Sequence, residues 1–573
     1  MPTVVMAGRW PKGITMNQMI ASNAPNAAAK SVNWTDKHYL VIDDCASIRQ
    51  LLRESLRNMG AKSVDQATDG GEAIALISNK RYDVILCDYH LDGGRNGQQI
   101  LEEARSNNLL NPSCIFVMVS AEKGADSVMG TAEYHPDAYL IKPITEGMLN
   151  TRLNRIWQKK QVFKSIDLAY ARKDYAGAAA LCDIQIVGNK LHENDLLRMK
   201  ANLLLKCGDR DKARAIYENI LCQRDCAWAK AGLARFYVQD GDYAGACQML
   251  QHVIDGNSLY LEAYDQLAAA HKLLGQQEQA GTVLERAARL SPNSVARQKT
   301  LGEVSLGLGN VAAAEKAFRK CISVGEHSVS RTADPYFALA RVCGIKKAPK
   351  EAMQILATVQ KKFACAASDL RARITEGLVY LDNQDQRAAM VIADEFEAML
   401  SAATAADLPS ANICMDIATL LLEVGIKEPA VKLLCHIIQN NDDDKSVRDA
   451  VEKVFACAQM GDEGLVLIEN ARKEATDIMN RGVLLWKTEK LEVAVEWMRA
   501  ARLKMPGNLR VLFNTAQILI SHVQKRGYDP ALLAEASEVL ALIDRMAPGQ
   551  PRHVELRLQL ESIMPDPLAV GGV

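Results

Sequence analysis

The sequence lacks several features that would assign it to common functional classes. Its 573 residues contain no apolar run of about 18 residues, the length that a transmembrane helix needs. Its 68 Lys and Arg residues nearly balance its 69 Asp and Glu residues, so no overall attraction to nucleic acid or to an anionic membrane is expected. Its 14 cysteines form no C-x-x-C pair, which favours buried thiols in a reducing cytosol over a zinc site.

Catalytic and DNA-binding signatures are missing as well. We find no P-loop, no H-E-x-x-H, no G-x-S-x-G, no helix-turn-helix reader and no cyclase signature. We therefore predict that the chain is not an enzyme and has no DNA-binding domain. Because its length exceeds what one hydrophobic core supports, several domains or a repeat array are expected.

The two ends of the chain are predicted to be unstructured. Residues 1–36 are rich in Ala and Asn and lack the apolar core of a signal peptide, so we predict a disordered leader. Within it, Met16 is an alternative to Met1 as the start of the protein. Residues 566–573 are predicted to form a flexible tail.

Residues 37–160 alternate short apolar runs with amphipathic stretches. Strands are predicted at 38–43, near 64, at 82–88, at 114–119 and at 138–141. Helices are predicted at 47–59, 71–78, 98–105, near 125–132 and from 146 onward. Five βα units with nearly continuous apolar strands predict an α/β domain with a five-stranded parallel sheet, doubly wound and covered on both faces.

After residue 160 a unit of about 34 residues recurs. A small residue precedes a short apolar helix in each of five units, at Ala178, Ala213, Ala246, Ala280 and Ala314. A Gly or Asp turn lies four or five residues before each of them, and another small residue lies twelve residues before the last four. The pattern is well kept over 161–330 and diverges over 331–565, and it predicts about nine to eleven helical pairs.

This recurring pattern of small residues and turns resembles the tetratricopeptide repeat. The resemblance implies an all-α superhelical solenoid whose paired small residues let two helices cross closely. It also implies a groove that binds a peptide or a helix of another protein, without naming that protein.

Polar residues stand where the predicted strands end. Asp43 and Asp44 follow the first strand, Asp88 ends the third, Ser120 ends the fourth and Lys142 follows the fifth. Ligands of such sheets bind at the carboxyl ends of the strands. Clustered carboxylates repel one another unless a cation such as Mg²⁺ is present. A carboxylate nucleophile, a metal, a hydroxyl and a lysine together predict an acyl-phosphate site.

This order of residues, with Pro143 after Lys142, resembles the response-regulator receiver family over about residues 38–160. The resemblance implies a flavodoxin-like fold with Asp88 as the phosphoacceptor. It implies that Mg²⁺ is held by Asp43, Asp44, Asp88 and the backbone carbonyl of His90.

The same resemblance assigns roles around the phosphoryl group. Ser120 is expected to hydrogen-bond it, Lys142 to pair with it and Ala121 to leave space for its oxygens. Tyr139 is expected to be the switch aromatic that turns inward, although a merely packed core aromatic is an equally good interpretation. The loop from Asp88 to Gly97 departs from the family, since Leu91-Asp92 stands where many receivers have Met-Pro.

We therefore predict a cytoplasmic bacterial response regulator, phosphorylated by a sensor histidine kinase or a phosphotransfer protein, whose repeats act as an adaptor or a sequestering scaffold. Two alternatives stay open: a phosphate sink or relay with a passive repeat tether, and an RNA-associated regulator. The sequence also allows a homodimer formed through the receiver.

The connection between the two regions is predicted to be helical. No Gly or Pro occurs between Gly147 and Gly177, which predicts that the last receiver helix runs directly, or through a tight kink, into the first repeat.

Overall fold

The computed structural model describes residues 34–92, 94–121 and 136–563. Two compact units divide the chain: residues 1–229 contain a sheet and the first helical pairs, and residues 230–573 contain further helices. The helix predicted near 125–132, the predicted tail and most of the predicted leader lie outside the described residues.

The first unit contains a five-stranded parallel sheet with the strand order β2-β1-β3-β4-β5. The strands are β1 (Tyr39–Ile42), β2 (Val64–Ala67), β3 (Val84–Asp88), β4 (Ile115–Ser120) and β5 (Ala138–Ile141). Every residue of β1, β3 and β4 is buried, as expected for strands that are covered on both faces. The predicted parallel sheet is confirmed.

Helices pack on both faces of this sheet: α1 (Ala46–Asn58), α2 (Gly70–Asn79), α3 (Gly97–Ser106) and the start of α4 (Glu146–Ala171). Side chains alternate between the two faces along each strand, so the sheet builds two cores. The core on the side of α1 and α4 contains Val41, Leu52, Leu86, Val117, Leu149 and Leu153. The core on the side of α2 and α3 contains Leu40, Ala73, Ile85, Ile100 and Phe116.

The predicted leader extends too far, because residues 34–36 are ordered. Trp34 is 6% exposed and packs edge to face on Trp157 of α4, with ring centroids 5.7 Å apart. Its indole Nε1 donates to Asn154 Oδ1 at 3.2 Å, and its carbonyl accepts a hydrogen bond from the Tyr39 hydroxyl at 2.7 Å. A large aromatic ring with a satisfied N–H is stable in a core, and this outweighs the polar composition around it.

Helix α4 joins the sheet to the first repeat without interruption. Its 26 residues begin after Thr145, whose Oγ1 accepts from the Met148 N–H. Its first half buries Leu149, Leu153 and Ile156, and its second half buries Ile166. The helix crosses the boundary that was predicted at residue 160, so the direct continuation expected from the sequence is observed.

The remaining helices of the first unit are α5 (Tyr175–Gly188), α6 (Glu193–Lys206) and α7 (Arg210–Gln223), with a 3₁₀ turn at Lys190–His192. Helix α8 (Ala227–Gln239) begins at the end of this unit. The second unit continues with α9 (Tyr243–Gly256), α10 (Leu261–Leu273), α11 (Gln277–Leu290), α12 (Val295–Gly307), α13 (Val311–Gly325), α14 (Asp334–Ile345), α15 (Pro349–Lys362), α16 (Ala366–Asp382) and α17 (Gln386–Ala402). It ends with α18 (Ala411–Val424), α19 (Lys427–Asn440), α20 (Lys445–Cys457), α21 (Gly461–Lys487), α22 (Leu491–Lys504), α23 (Leu509–Arg526), α24 (Pro530–Met546) and α25 (Pro551–Ile563).

Small residues at the helix crossings explain this pairing. Ala246, Ala280 and Ala314 are completely buried. At Gly302 a β-carbon would lie 2.5 Å from the ring of Phe318, so only glycine lets α12 approach α13 this closely. The all-helical repeat region is therefore built as the 34-residue pattern predicts.

The turns between paired helices follow from their sequence as well. Gly241 has φ +83°, a left-handed conformation that side chains disfavour. The next residue, Asp242, caps α9 by accepting a hydrogen bond from the Gly245 N–H at 2.8 Å.

Within the described residues, no helix combines the length and the apolar character that crossing a membrane requires.

Candidate functional site

Four strand ends bring the predicted site residues to one edge of the sheet. Asp43 follows β1, Asp88 ends β3, Ser120 ends β4 and Lys142 follows β5. The parallel register aligns these ends to within one residue, because Ile42 pairs with Cys87, Asp88 with Val119 and Ser120 with Ile141. The polar residues that end separate strands thus lie at one end of the domain.

Three carboxylates converge at this edge. Asp43, Asp44 and Asp88 each offer one oxygen, and these atoms all lie within 4.8 Å of one another. Asp43 is fully buried and Asp88 is buried, whereas Asp44 is exposed. Carboxylates at such distances repel one another, and a hard divalent cation with oxygen ligands fits this set of donors.

Lys142 lies between two of the acids. Its Nζ donates to Asp43 Oδ2 at 2.8 Å and to Asp88 Oδ2 at 3.1 Å, and its side chain is 17% exposed. Burial alone would lower the pKa of Lys142, but the hydrogen bonds to Asp43 and Asp88 outweigh it and raise that pKa above its ordinary value. The lysine therefore stays positively charged and compensates part of the acidic charge.

Asp88 is held at both carboxylate oxygens. Its Oδ2 accepts from Lys142, and its Oδ1 accepts from the Tyr89 N–H at 2.8 Å. Burial raises the pKa of Asp88; Lys142 offsets part of this rise, and the negative charge of Asp43 adds to it. The carboxylate is thus fixed in direction and poorly hydrated, as suits a nucleophile.

Arg49, which the sequence reasoning missed, holds the acidic loop. Its Nη1 donates to the carbonyl of Asp43 at 2.7 Å and to that of Asp44 at 2.8 Å. The Cys45 N–H donates to Asp43 Oδ1 at 3.0 Å. A basic residue in the first turn of the helix after two acids was the available signal, although such residues usually face solvent.

Gly97 sets the shape of the loop after Asp88. A β-carbon at Gly97 would lie 2.3 Å from the carbonyl oxygen of Asp88 and 2.8 Å from the Met118 sulfur. The Gly97 N–H donates to the Tyr89 carbonyl at 3.0 Å. The loop that departs from the family pattern therefore returns tightly to the backbone of Asp88, and only glycine fits where it does so.

The other predicted residues lie around this edge. Ser120 is fully buried, Ala121 is exposed, and Tyr139 is half-buried against the core of α2 and α3. The His90 side chain is exposed, with its ring edge to face on Tyr89 at 4.7 Å. The roles assigned to these residues and to the carbonyl of His90 stay predictions.

Known proteins resemble the chain in both of its regions. Residues 39–154 match the family model of the response regulator receiver domain, and residues 261–294 match that of the tetratricopeptide repeat. Over 120 residues, 21% of this chain, it is 25% identical to the chemotaxis protein CheY of Pseudomonas aeruginosa, covering 95% of that protein. It is 24% identical to the chemotaxis protein CheY-3 of Vibrio cholerae over the same length, covering 91% of that protein.

Solved structures resemble the same region. The chemotaxis response regulator CheY4 of Vibrio cholerae is 27% identical, with 21% of this chain and 98% of that chain covered and a TM-score of 0.19. The Francisella response regulator 1452 receiver domain is also 27% identical, with 22% and 98% covered and a TM-score of 0.20. The two family matches fall in the regions where the sequence predicted each family.

Proposed function

Because this chain contains a response regulator receiver domain followed by tetratricopeptide repeats, we propose that it is phosphorylated on Asp88 and that its repeats are the output. In this proposal a sensor histidine kinase or a phosphotransfer protein in the cytoplasm supplies the phosphoryl group. The repeats bind another protein, as an adaptor or a sequestering scaffold, in a manner that phosphorylation controls. The convergence of Asp43, Asp44 and Asp88 beside Lys142 carries the proposal.

The residues at this edge divide the chemistry among them. A carboxylate oxygen of Asp88 attacks the phosphorus of a phosphohistidine or of a small acyl phosphate. The bond from phosphorus to the donor's nitrogen or oxygen breaks, and an aspartyl phosphate forms. Lys142 pairs with the transferred group, and the Ser120 hydroxyl hydrogen-bonds it.

Mg²⁺, held by Asp43, Asp44 and Asp88, would neutralise the charge of the phosphoryl oxygens. The exposed Asp44 supports this assignment, because Lys142 bonds only the two buried acids among the described residues. Lys142 therefore does not compensate the negative charge of Asp44.

A stiff junction supports coupling between the receiver and the first repeat. Lys160, in the middle of α4, donates to the Pro112 carbonyl at 3.2 Å and to the Cys114 carbonyl, and its Nζ forms an ion pair with Asp137 Oδ2 at 3.0 Å. These three partners lie just before β4 and β5. The helix that continues into the first repeat is therefore fastened to the sheet.

Tyr139 borders this junction. Its side chain lines a cavity of about 650 Å³ together with Phe163 of α4 and Met199 of α6. In our proposal, an inward turn of Tyr139 on phosphorylation changes the packing of this cavity and shifts α5 and α6. Couplings of this kind are typically about 1–3 kcal/mol.

Phosphorylation with acetyl phosphate tests the first part of the proposal. We expect the full-length chain to acquire one hydroxylamine-labile phosphoryl group in the presence of Mg²⁺, and to acquire none in excess EDTA. Asp88→Asn should acquire none in either condition. A wild-type chain that is folded by circular dichroism and stays unmodified with Mg²⁺ would refute the proposal.

Hydrogen exchange tests the second part. With beryllofluoride and Mg²⁺, we expect amide exchange to change in α5 and α6 as well as around Asp88, and to stay unchanged in Asp88→Asn. A change confined to the receiver would favour the passive tether. A rapidly hydrolysed aspartyl phosphate would then point to a phosphate sink.

A further inference from the structure

The second unit contains a groove of about 980 Å³ that crosses the first helices of five successive pairs. It is lined mainly by residues of α12, α14, α16, α18 and α20, one helix from each pair. In repeat arrays, stacking such helices creates an extended surface for a ligand. The charges on this surface are not distributed at random.

Each of the five helices contributes charged residues, and α12 and α14 carry both signs, with Glu303 beside Lys299 and Arg341 beside Asp334. One residue from each helix forms a row in which the sign changes at every step: Lys299, Asp334, Arg371, Asp416 and Lys453. All five line the same groove. We call this row the charge ladder.

The first three members of the charge ladder are bonded to each other. Asp334 accepts from Lys299 Nζ at 2.6 Å and from Arg371 Nη1 at 2.5 Å. Burial alone would raise the pKa of Asp334, but these two hydrogen bonds outweigh it and lower that pKa. The Arg371 guanidinium also lies over the ring of Phe337, 4.8 Å from its centroid. In this half of the charge ladder, each charged side chain is therefore bonded to another member.

The last two members of the charge ladder, Asp416 and Lys453, form what we call its open half. Within the described residues, neither Asp416 nor Lys453 makes a hydrogen bond or an ion pair, and Asp416 is half-buried. Burial raises the pKa of Asp416, and Arg371 and Arg341 only partly offset this rise. Arg341 itself is paired with Asp382 at 3.5 Å. A half-buried carboxylate without a partner costs free energy that a bound cation would recover.

Apolar side chains flank the open half. Ile413 and Leu378 are buried in the groove wall, and Met415 and Val454 are half-buried in it. Such a surface offers a partner both charge complementarity and apolar contact.

We propose that the open half of the charge ladder binds an extended peptide segment of a partner protein, with a basic side chain on Asp416 and an acidic side chain on Lys453. Neighbouring helices pack about 8–10 Å apart, and an extended chain advances about 3.3 Å per residue. The two charged residues of the peptide should therefore be about three positions apart, with an apolar residue between them. This inference rests on the proposed protein-binding function of the repeats.

A phage-displayed library of random 12-residue peptides, selected on the full-length chain, tests the proposal. On the wild type we expect enrichment of peptides with a basic and an acidic residue about three positions apart. On the charge-reversed variant Asp416→Lys/Lys453→Glu, we expect the order of the two charges along the peptide to invert. An enriched peptide should bind Asp416→Asn and Lys453→Gln about tenfold more weakly than the wild type, as measured by fluorescence anisotropy.

Glu428 and Lys432 provide a matched control. They form an exposed ion pair on α19, and their exchange reverses two charges without touching the groove. Glu428→Lys/Lys432→Glu should enrich the same peptides as the wild type, and both double variants should keep the wild-type circular dichroism spectrum.

The proposal is overturned if no peptide is enriched on the wild type, or if the wild type and the groove variant enrich the same sequences. Because the selection uses no phosphoryl donor, a failure of Asp88 phosphorylation leaves its outcome unaffected. Peptides enriched without the charge pair would remove this assignment and leave a protein-binding array in place.

Discussion

Two half-buried lysines at opposite ends of the same strands show how similar burial serves different purposes. Lys142 follows β5 at the carboxyl edge of the sheet, and Lys160 reaches the amino edge from α4. Both side chains are 17% exposed, and each is paired with a carboxylate. They differ in the acceptors that their N–H donors bind.

Lys160 donates to two backbone carbonyls and forms an ion pair with Asp137, all of them outside the candidate site. Lys142 donates to two carboxylates, and both are acids of the candidate site. A lysine bonded to backbone carbonyls away from the site fastens a helix to the sheet. In the proposed function, a lysine bonded to the site carboxylates pairs with the phosphoryl group that one of them receives.

The sharpest test of this difference replaces Lys142 with methionine. We expect Lys142→Met to lower the initial rate of phosphorylation by acetyl phosphate with Mg²⁺ about 100-fold, since one charged donor to the transferred group is lost. Lys160→Met, with an equal change in charge, should keep the wild-type rate. Equal losses in the two variants would show that charge alone, and not position, matters.

The opposite contrast is expected for stability. Lys160→Met should lower the free energy of unfolding of the first unit by about 2–3 kcal/mol, because two carbonyls lose a charged donor and Asp137 loses its ion-pair partner. Its neighbour Lys159, which is half-exposed in an ion pair with Asp195, is the control. Lys159→Met should cost no more than about 0.5 kcal/mol in urea unfolding followed by circular dichroism. A loss for Lys160→Met as small as that of its neighbour would remove the fastening role.

The two lysines also mark what sequence reasoning could reach. Lys142 was predictable because parallel strands bring their carboxyl ends together, so that order along the chain was sufficient to place it. Lys160 lies in the run Gln158-Lys159-Lys160-Gln161, which resembles a solvated helix face. Its carbonyl partners lie 46 and 48 residues away, and only tertiary packing brings them together.

The same limit applies to Trp34 and to Asp416. Trp34 stands in a polar segment, and its burial depends on α4, more than 100 residues away. Asp416 lies in the apolar run of α18, where one acid suggests only a solvated position. The helical pairing was predictable from the spacing of small residues, but the row of charged side chains across five helices appears only once those helices are stacked.

The smallest expected effect concerns Asp167, which faces the Lys160 end of the sheet. Burial raises its pKa above the ordinary value of 3.8; Lys160 offsets part of the rise, and Asp137 adds to it. The folded state therefore binds this proton more tightly than the unfolded state, and the charged carboxylate opposes folding above pH 3.8. Asp167→Asn should raise the free energy of unfolding at pH 7 by about 0.5 kcal/mol, with a smaller gain near pH 4, where the proton remains bound. Urea unfolding of both proteins at the two pH values measures the difference, and an equal gain at each pH would mean that the carboxylate's charge is not its cause.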